Sequence, residues 1–167
     1  MTRVPLAVAM VLAVLAAPAA ATMLARRAAP DELARDAKRI VHARVLDVRS
    51  GRDGSGLPAT WITLDVARSL KGDGAPRFVL KQYGVAAPLA DGTLTRIAGL
   101  PRYAPGEEVV LFLHGESARG FSSPVGLGQG VYRVERTRGR ALVRADAGGA
   151  ARSLAAFLDE VARLAAK

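Results

Sequence analysis

The chain has 167 residues, a formal net charge of +9 and no cysteine. That length holds one domain once a targeting segment is set aside. The missing cysteine excludes disulfides, thiol catalysis, Cys-based zinc sites and a lipid-modified Cys.

Half the residues are hydrophobic but only 5% are aromatic, so a core must rest on Val, Leu and Ile. All but four of the 24 basic residues are Arg. Such an excess bears on solubility and attraction to acidic surfaces, not on fold.

Residues 1–21 read as a secretory signal peptide. Arg3 supplies the positive start, an apolar run follows, Pro18 breaks it, and Ala19, Ala20 and Ala21 offer small residues for cleavage after Ala21. The run is shorter than the roughly 20 apolar residues of a comfortable span. The expected location is therefore periplasmic or extracellular, with no transmembrane span in the mature chain.

Residues 22–39 form an N-terminal segment with a short helix over 28–39. Pro30 suits the first turn, and Asp31 and Glu32 face the positive end of the helix dipole. Residues 40–145 read as the β domain. Its first strand, 40–50, alternates through Val41, Ala43 and Val45, then slips phase to Leu46 and Val48, as a β-bulge would. A Gly-rich hairpin loop at 51–58 lacks the alternate carboxylates of a calcium loop and reads as a plain turn.

The second strand, 60–70, buries Ile62, Leu64 and Val66 and turns Trp61, Thr63 and Asp65 the other way. A third strand at 77–83 puts Phe78, Leu80 and Gln82 on one face. Residues 93–97 offer a short edge strand. The continuous apolar run Val109, Val110, Leu111, Phe112 and Leu113 suits a strand covered on both faces. Residues 131–136 and 140–144 form a closing hairpin. Residues 146–167 carry the final amphipathic helix, with Ser153 as its N-cap, an apolar stripe Leu154, Phe157, Leu158, Val161 and Leu164, and an Asp159–Arg163 pair at i, i+4. The fold expected is mainly β: a small antiparallel OB-like barrel of six or seven strands with a helix at each end.

The strand ending in Leu70, Lys71 and Gly72, the strand over 79–82, and Pro105, Gly106, Glu107 and Glu108 before the apolar strand carry a resemblance. Across roughly residues 40–135 the chain resembles the netrin-like OB-fold of tissue inhibitors of metalloproteases. It is also similar to uncharacterised exported bacterial proteins with the same layout. In the inhibitors an N-terminal cysteine presents its amine and carbonyl to the target's zinc. This chain has no cysteine, so the resemblance implies a barrel and protein–protein contact but not that mechanism.

No cofactor or metal is expected, since His42 and His114 stand far apart and no metal-ligand spacing surrounds them. Residues 126–130 are Gly-rich, but no Lys-Ser/Thr follows as a phosphate loop requires. The leading expectation is a non-enzymatic binding module for another exported protein, with Trp61, Tyr83, Arg102, Tyr103 and Phe121 as an exposed contact patch. One alternative is a small hydrolase using His114 as base, with Glu116 and Ser117 close to it and Ser122 and Ser123 following. Another is binding of acidic envelope polymers through Arg133, Arg136, Arg138, Arg140 and Arg144. Specific nucleic-acid binding is not expected, because the aromatics are scattered over different segments.

Overall fold

The computed structural model describes residues 27–167. The expected signal peptide and its cleavage site lie outside the described residues. The elements run α1 (Pro30–Asp36), β1 (Arg39–Arg52), β2 (Pro58–Lys71), β3 (Arg77–Tyr83), β4 (Glu108–Leu113), a 3-10 turn (Leu127–Gly130), β5 (Val131–Thr137), β6 (Arg140–Ala145), β7 (Arg152–Ser153) and α2 (Leu154–Ala165). The fold is mainly β, with one antiparallel seven-stranded sheet in the order β3-β2-β1-β4-β5-β6-β7. Its ladder is open, with β3 and β7 at the edges.

The two-residue period of each strand sorts its side chains between two cores. Val41, Ala43, Val45, Ile62, Leu64, Leu80, Tyr103, Val109, Leu111, Leu113 and Val131 pack together on one side. On the other side Ile40, Val110, Phe112, Tyr132 and Val143 meet Leu33, Ala34 and Ala37 near α1 and Leu154, Phe157, Leu158 and Val161 of α2. Strand β4 serves both cores, which is why its sequence has no polar alternation. The expected phase slip in β1 is a register shift between Val45 and Asp47. Leu46 is the extra residue and stands 40% exposed, while Val45 is 1% exposed.

α1 is shorter than the expected 28–39. The backbone N–H of Ala29 donates to the Glu32 carboxylate (3.0 Å), and the chain leaves the helix at Ala37 in extended conformation. Lys71 Nζ donates to the Ala34 carbonyl (2.8 Å), so the end of β2 satisfies a C-terminal carbonyl of that helix. At the other end of the chain, Ser153 occupies the N-cap of α2, but its side chain makes no capping bond. Asp159 pairs with Arg68 of β2 (3.4 Å) rather than with Arg163. The expected strand at 93–97 is absent. Those residues belong to an irregular loop over 84–103, held by Val85 N–H to Thr95 O and Leu89 N–H to Thr93 O, both 2.9 Å.

A short extended stretch, 121–125, runs between β4 and β3. Phe121 bridges Lys81 of β3 in parallel, and Pro124 bridges Leu113 of β4 antiparallel. The bonds are Ser122 N–H to Lys81 O (2.9 Å), His114 N–H to Ser123 O (3.0 Å) and Val125 N–H to Phe112 O (2.8 Å). The 3-10 turn then interrupts the path, and β5 resumes along the N-terminal half of β4. Gly130 closes that turn against backbone: a Cβ there would lie 2.6 Å from Val125 O and 2.9 Å from Phe112 O.

Candidate functional site

The chain between β3 and β4 is too rich in Gly, Pro and Ala to extend the sheet. It folds over the end of β3 instead and leaves a cavity of about 400 Å³ beneath the 84–103 loop. Val48 of β1, Thr60 of β2 and Gln82 and Tyr83 of β3 form one wall; the loop from Gly84 to Tyr103 forms the other. Gly84 permits the sharp exit from β3: its φ is +97°, and a Cβ would lie 2.7 Å from the Thr95 carbonyl.

Two buried polar atoms of the lining residues, one from each wall, have no hydrogen-bond partner: Gln82 Nε2 and the Tyr103 hydroxyl. Gln82 is 4% exposed and Tyr103 is 8% exposed. An unpaired buried amide or hydroxyl is costly, because it forgoes water without recovering a bond. Burial also pushes the Tyr103 phenol well above its ordinary range, outweighing the nearby positive charge of Arg133, so this hydroxyl keeps its proton. Thr60, by contrast, is satisfied. Its Oγ1 donates to Gly84 O (2.9 Å) and stands 3.0 Å from Ser50 Oγ.

Tyr83, Arg102 and Tyr103 of the expected contact patch line this one cavity. Tyr83 and Arg102 are exposed, but Tyr103 is buried in the core rather than presented at the surface. Phe121 is half-buried outside the lining, its ring edge-on to Tyr83 at 5.9 Å and capped by Lys81 Nζ at 4.1 Å. Trp61 is apart from them. It lines a second hollow with Asp47, Arg49, Ser50, Thr63 and Val79, on the outer face of β1, β2 and β3.

The basic residues of the closing hairpin divide into two groups. Arg133 bonds Glu107 (2.5 Å) and Asp146 (2.8 Å), and Arg136 bonds Glu108 through two nitrogens at 2.8 and 2.6 Å. Arg138, Arg140 and Arg144 are exposed. His114 is exposed just past β4 and outside the cavity. The nearby Ser122 hydroxyl donates to the His114 carbonyl (2.8 Å), not to its ring.

A polar cluster that the spacing of residues did not announce lies across β1, β4 and β5. His42 Nε2 is 2.7 Å from Glu108 Oε1, and both side chains are 10% exposed. Arg136 closes on the same carboxylate, with Arg44 at 3.6 Å. The Arg136 hydrogen bonds, opposed by burial and helped by His42, hold the Glu108 carboxyl down at about 2. No group of three or more His, Cys, Asp or Glu among the described residues is arranged to hold a metal ion. No helix among them is long and apolar enough to cross a membrane.

No protein-family model, curated protein or solved structure matches this chain.

Sequence reasoning passed over Gln82 as a site residue, although its signal was present. It is the one amide on the face of β3 that otherwise buries Phe78 and Leu80. The floor of the cavity could be found that way; the loop that roofs it could not.

Proposed function

We propose that the chain is an exported, non-enzymatic binding module with an OB-like barrel, and that it meets a partner protein around the 84–103 loop. The observation that carries this reading is the cavity beneath that loop, with exposed Tyr83 and Ile97 in its lining. Gly99, also in the lining, packs close to Leu127, another exposed apolar side chain. Concave apolar surface edged with aromatic and Arg side chains is the usual form of a binding hot spot.

The barrel reading is supported by the order β3-β2-β1-β4-β5 and by the 121–125 stretch, which reaches from β4 across to β3. An OB-fold closes in that sense, through a parallel contact to its third strand. Export is supported by the charge, apolar run and small residues of positions 1–21. The binding reading is favoured over catalysis because no carboxylate, histidine or cysteine lines the cavity. It is favoured over polyanion binding because Arg133 and Arg136 already hold carboxylates of the chain.

The test is site-specific photo-crosslinking in the native envelope, with the crosslinker at Tyr83, Ile97 or Arg140. A discrete protein adduct from Tyr83 and Ile97 but not from Arg140 is expected. An adduct from Arg140 alone, or none at the loop, overturns the reading.

A further inference from the structure

We infer that the cavity under the 84–103 loop takes an apolar residue ending in a carboxylate, supplied by the carboxyl terminus of a partner polypeptide. This rests on the binding-module reading above and gives its partner a chemistry.

The unpaired Gln82 Nε2 can only donate, and the unpaired Tyr103 hydroxyl has a proton to give. Six carbonyls of the same walls are already engaged. Gly84 O takes Thr60, Ala86 O takes Arg96, Thr95 O takes Val85, Ile97 O takes Leu100, Gly99 O takes Gly128 and Arg102 O takes Arg133. The two buried side-chain atoms left unpaired among the lining residues each carry a proton to donate, so a ligand that satisfies them must bring acceptors.

Charge gives the same answer. Arg96 and Arg102 are exposed in the lining, and no Asp or Glu lines the cavity. A cation would meet two guanidinium groups with no counter-charge, whereas a carboxylate meets both and offers two acceptor oxygens. The remainder of the lining is apolar, through Val48, Val85, Ile97, Leu100 and Pro101. About 400 Å³ lies toward the small end of ligand sites and suits one side chain with its terminal carboxylate rather than a large cofactor. Exposed Tyr83 and Ile97 then have a role, covering the residues that precede the bound terminus. Capture of a chain-end carboxylate by convergent donors is an established mode of peptide recognition. Gln82 Nε2 and the Tyr103 hydroxyl are shielded from water in the free chain, so the loop yields as the terminus enters.

The experiment titrates the protein, expressed as the full chain and purified after export, with acetylated tetrapeptides ending in Ala, Val, Leu or Phe. Each is compared with its C-terminal amide, and octanoate serves as the free acid. Binding is followed by amide and side-chain NMR shifts. The expected result is that at least one free-acid peptide binds and shifts the Gln82 side-chain amide, with its amide form weaker by roughly tenfold or more. Gln82→Leu and Tyr103→Phe should each weaken that peptide roughly fivefold or more while leaving the melting temperature unchanged or raised, since each removes an unpaired buried group. A purely structural role would move stability without moving affinity. Equal binding of acid and amide, unchanged affinity in both variants, or no binding by any peptide at about 1 mM overturns the proposal. Octanoate binding tighter than every peptide overturns the polypeptide source. Loop crosslinking to a protein together with failure here removes this inference alone and leaves the binding module standing.

Discussion

A methyl group at position 130 has nowhere to go: backbone atoms of Val125 and Phe112 lie within 2.9 Å of where it would sit. Gly130→Ala should therefore cost roughly 3 kcal/mol, the upper range for overpacking, read as a fall in the urea midpoint. Gly54→Ala has open space and should change little. Glu108 makes a different residue-scale prediction. Its carboxyl falls from 4.5 to about 2 in the folded chain, chiefly through Arg136. The stabilisation is then fully present above pH 4.5 and is lost as pH falls from 4.5 toward 2. Glu108→Gln should lower the melting temperature at neutral pH and make its decline across that acid window shallower. An unchanged slope would mean that other carboxylates carry the acid sensitivity.

At the scale of elements, the bulge in β1 can be tested by paired substitutions. Val45→Ala should cost about 2 kcal/mol as a buried truncation, whereas Leu46→Ala should stay within about 0.5 kcal/mol as a surface change. Without the extra residue, the side chains that follow would exchange faces. In α2, Phe157 is fully buried against Phe112 and Tyr132, with ring centroids at 6.4 and 4.5 Å. Phe157→Ala should cost about 4 kcal/mol in a denaturant melt. These elements were legible because their signals are local. The phase slip after Val45, the unbroken run through β4 and the stripe of α2 all stand in the sequence itself. The site was legible only in part. Tyr83, Arg102 and Tyr103 stood out as contact-type residues, but their convergence depends on a loop without periodicity. The 93–97 segment has strand-like composition, yet its backbone bonds turn inward to Val85 and Leu89 instead of to a neighbouring strand. The Asp159–Arg163 pairing failed for a related reason: helix spacing allows it, but Arg68 arrives from β2.

For the whole molecule, the contact between the 121–125 stretch and the two strands beside it determines how the β3 side is protected. The N–H groups of Ser122, Val125 and His114 should exchange with solvent slowly, as core strand amides do. Rapid exchange at Ser122 with slow exchange at Val125 would leave β3 as an open edge. The two cores should also melt together, because β4 supplies Val109, Leu111 and Leu113 to one and Val110 and Phe112 to the other. Phe157→Ala and Val45→Ala, each placed in a different core, should both preserve a single unfolding transition.

The position of β1 has a consequence for assembly in time. It is the first strand in the chain but lies between β2 and β4 in the sheet. Its pairing with β2 needs only a short hairpin, while its pairing with β4 joins Ile40 to Phe112. A chain emerging N-terminus first can complete the β1-β2-β3 meander early, with one side of β1 still open. Closure by β4 must wait for the distant segment, and distant pairings are the slow ones. Doubling the length of the loop between β3 and β4 would add only about 0.6 kcal/mol to that closure. Between its buried anchors at Val85 and Tyr103 the loop can thus vary in length at little cost to folding, which leaves its exposed residues free to follow whatever the cavity beneath it must hold.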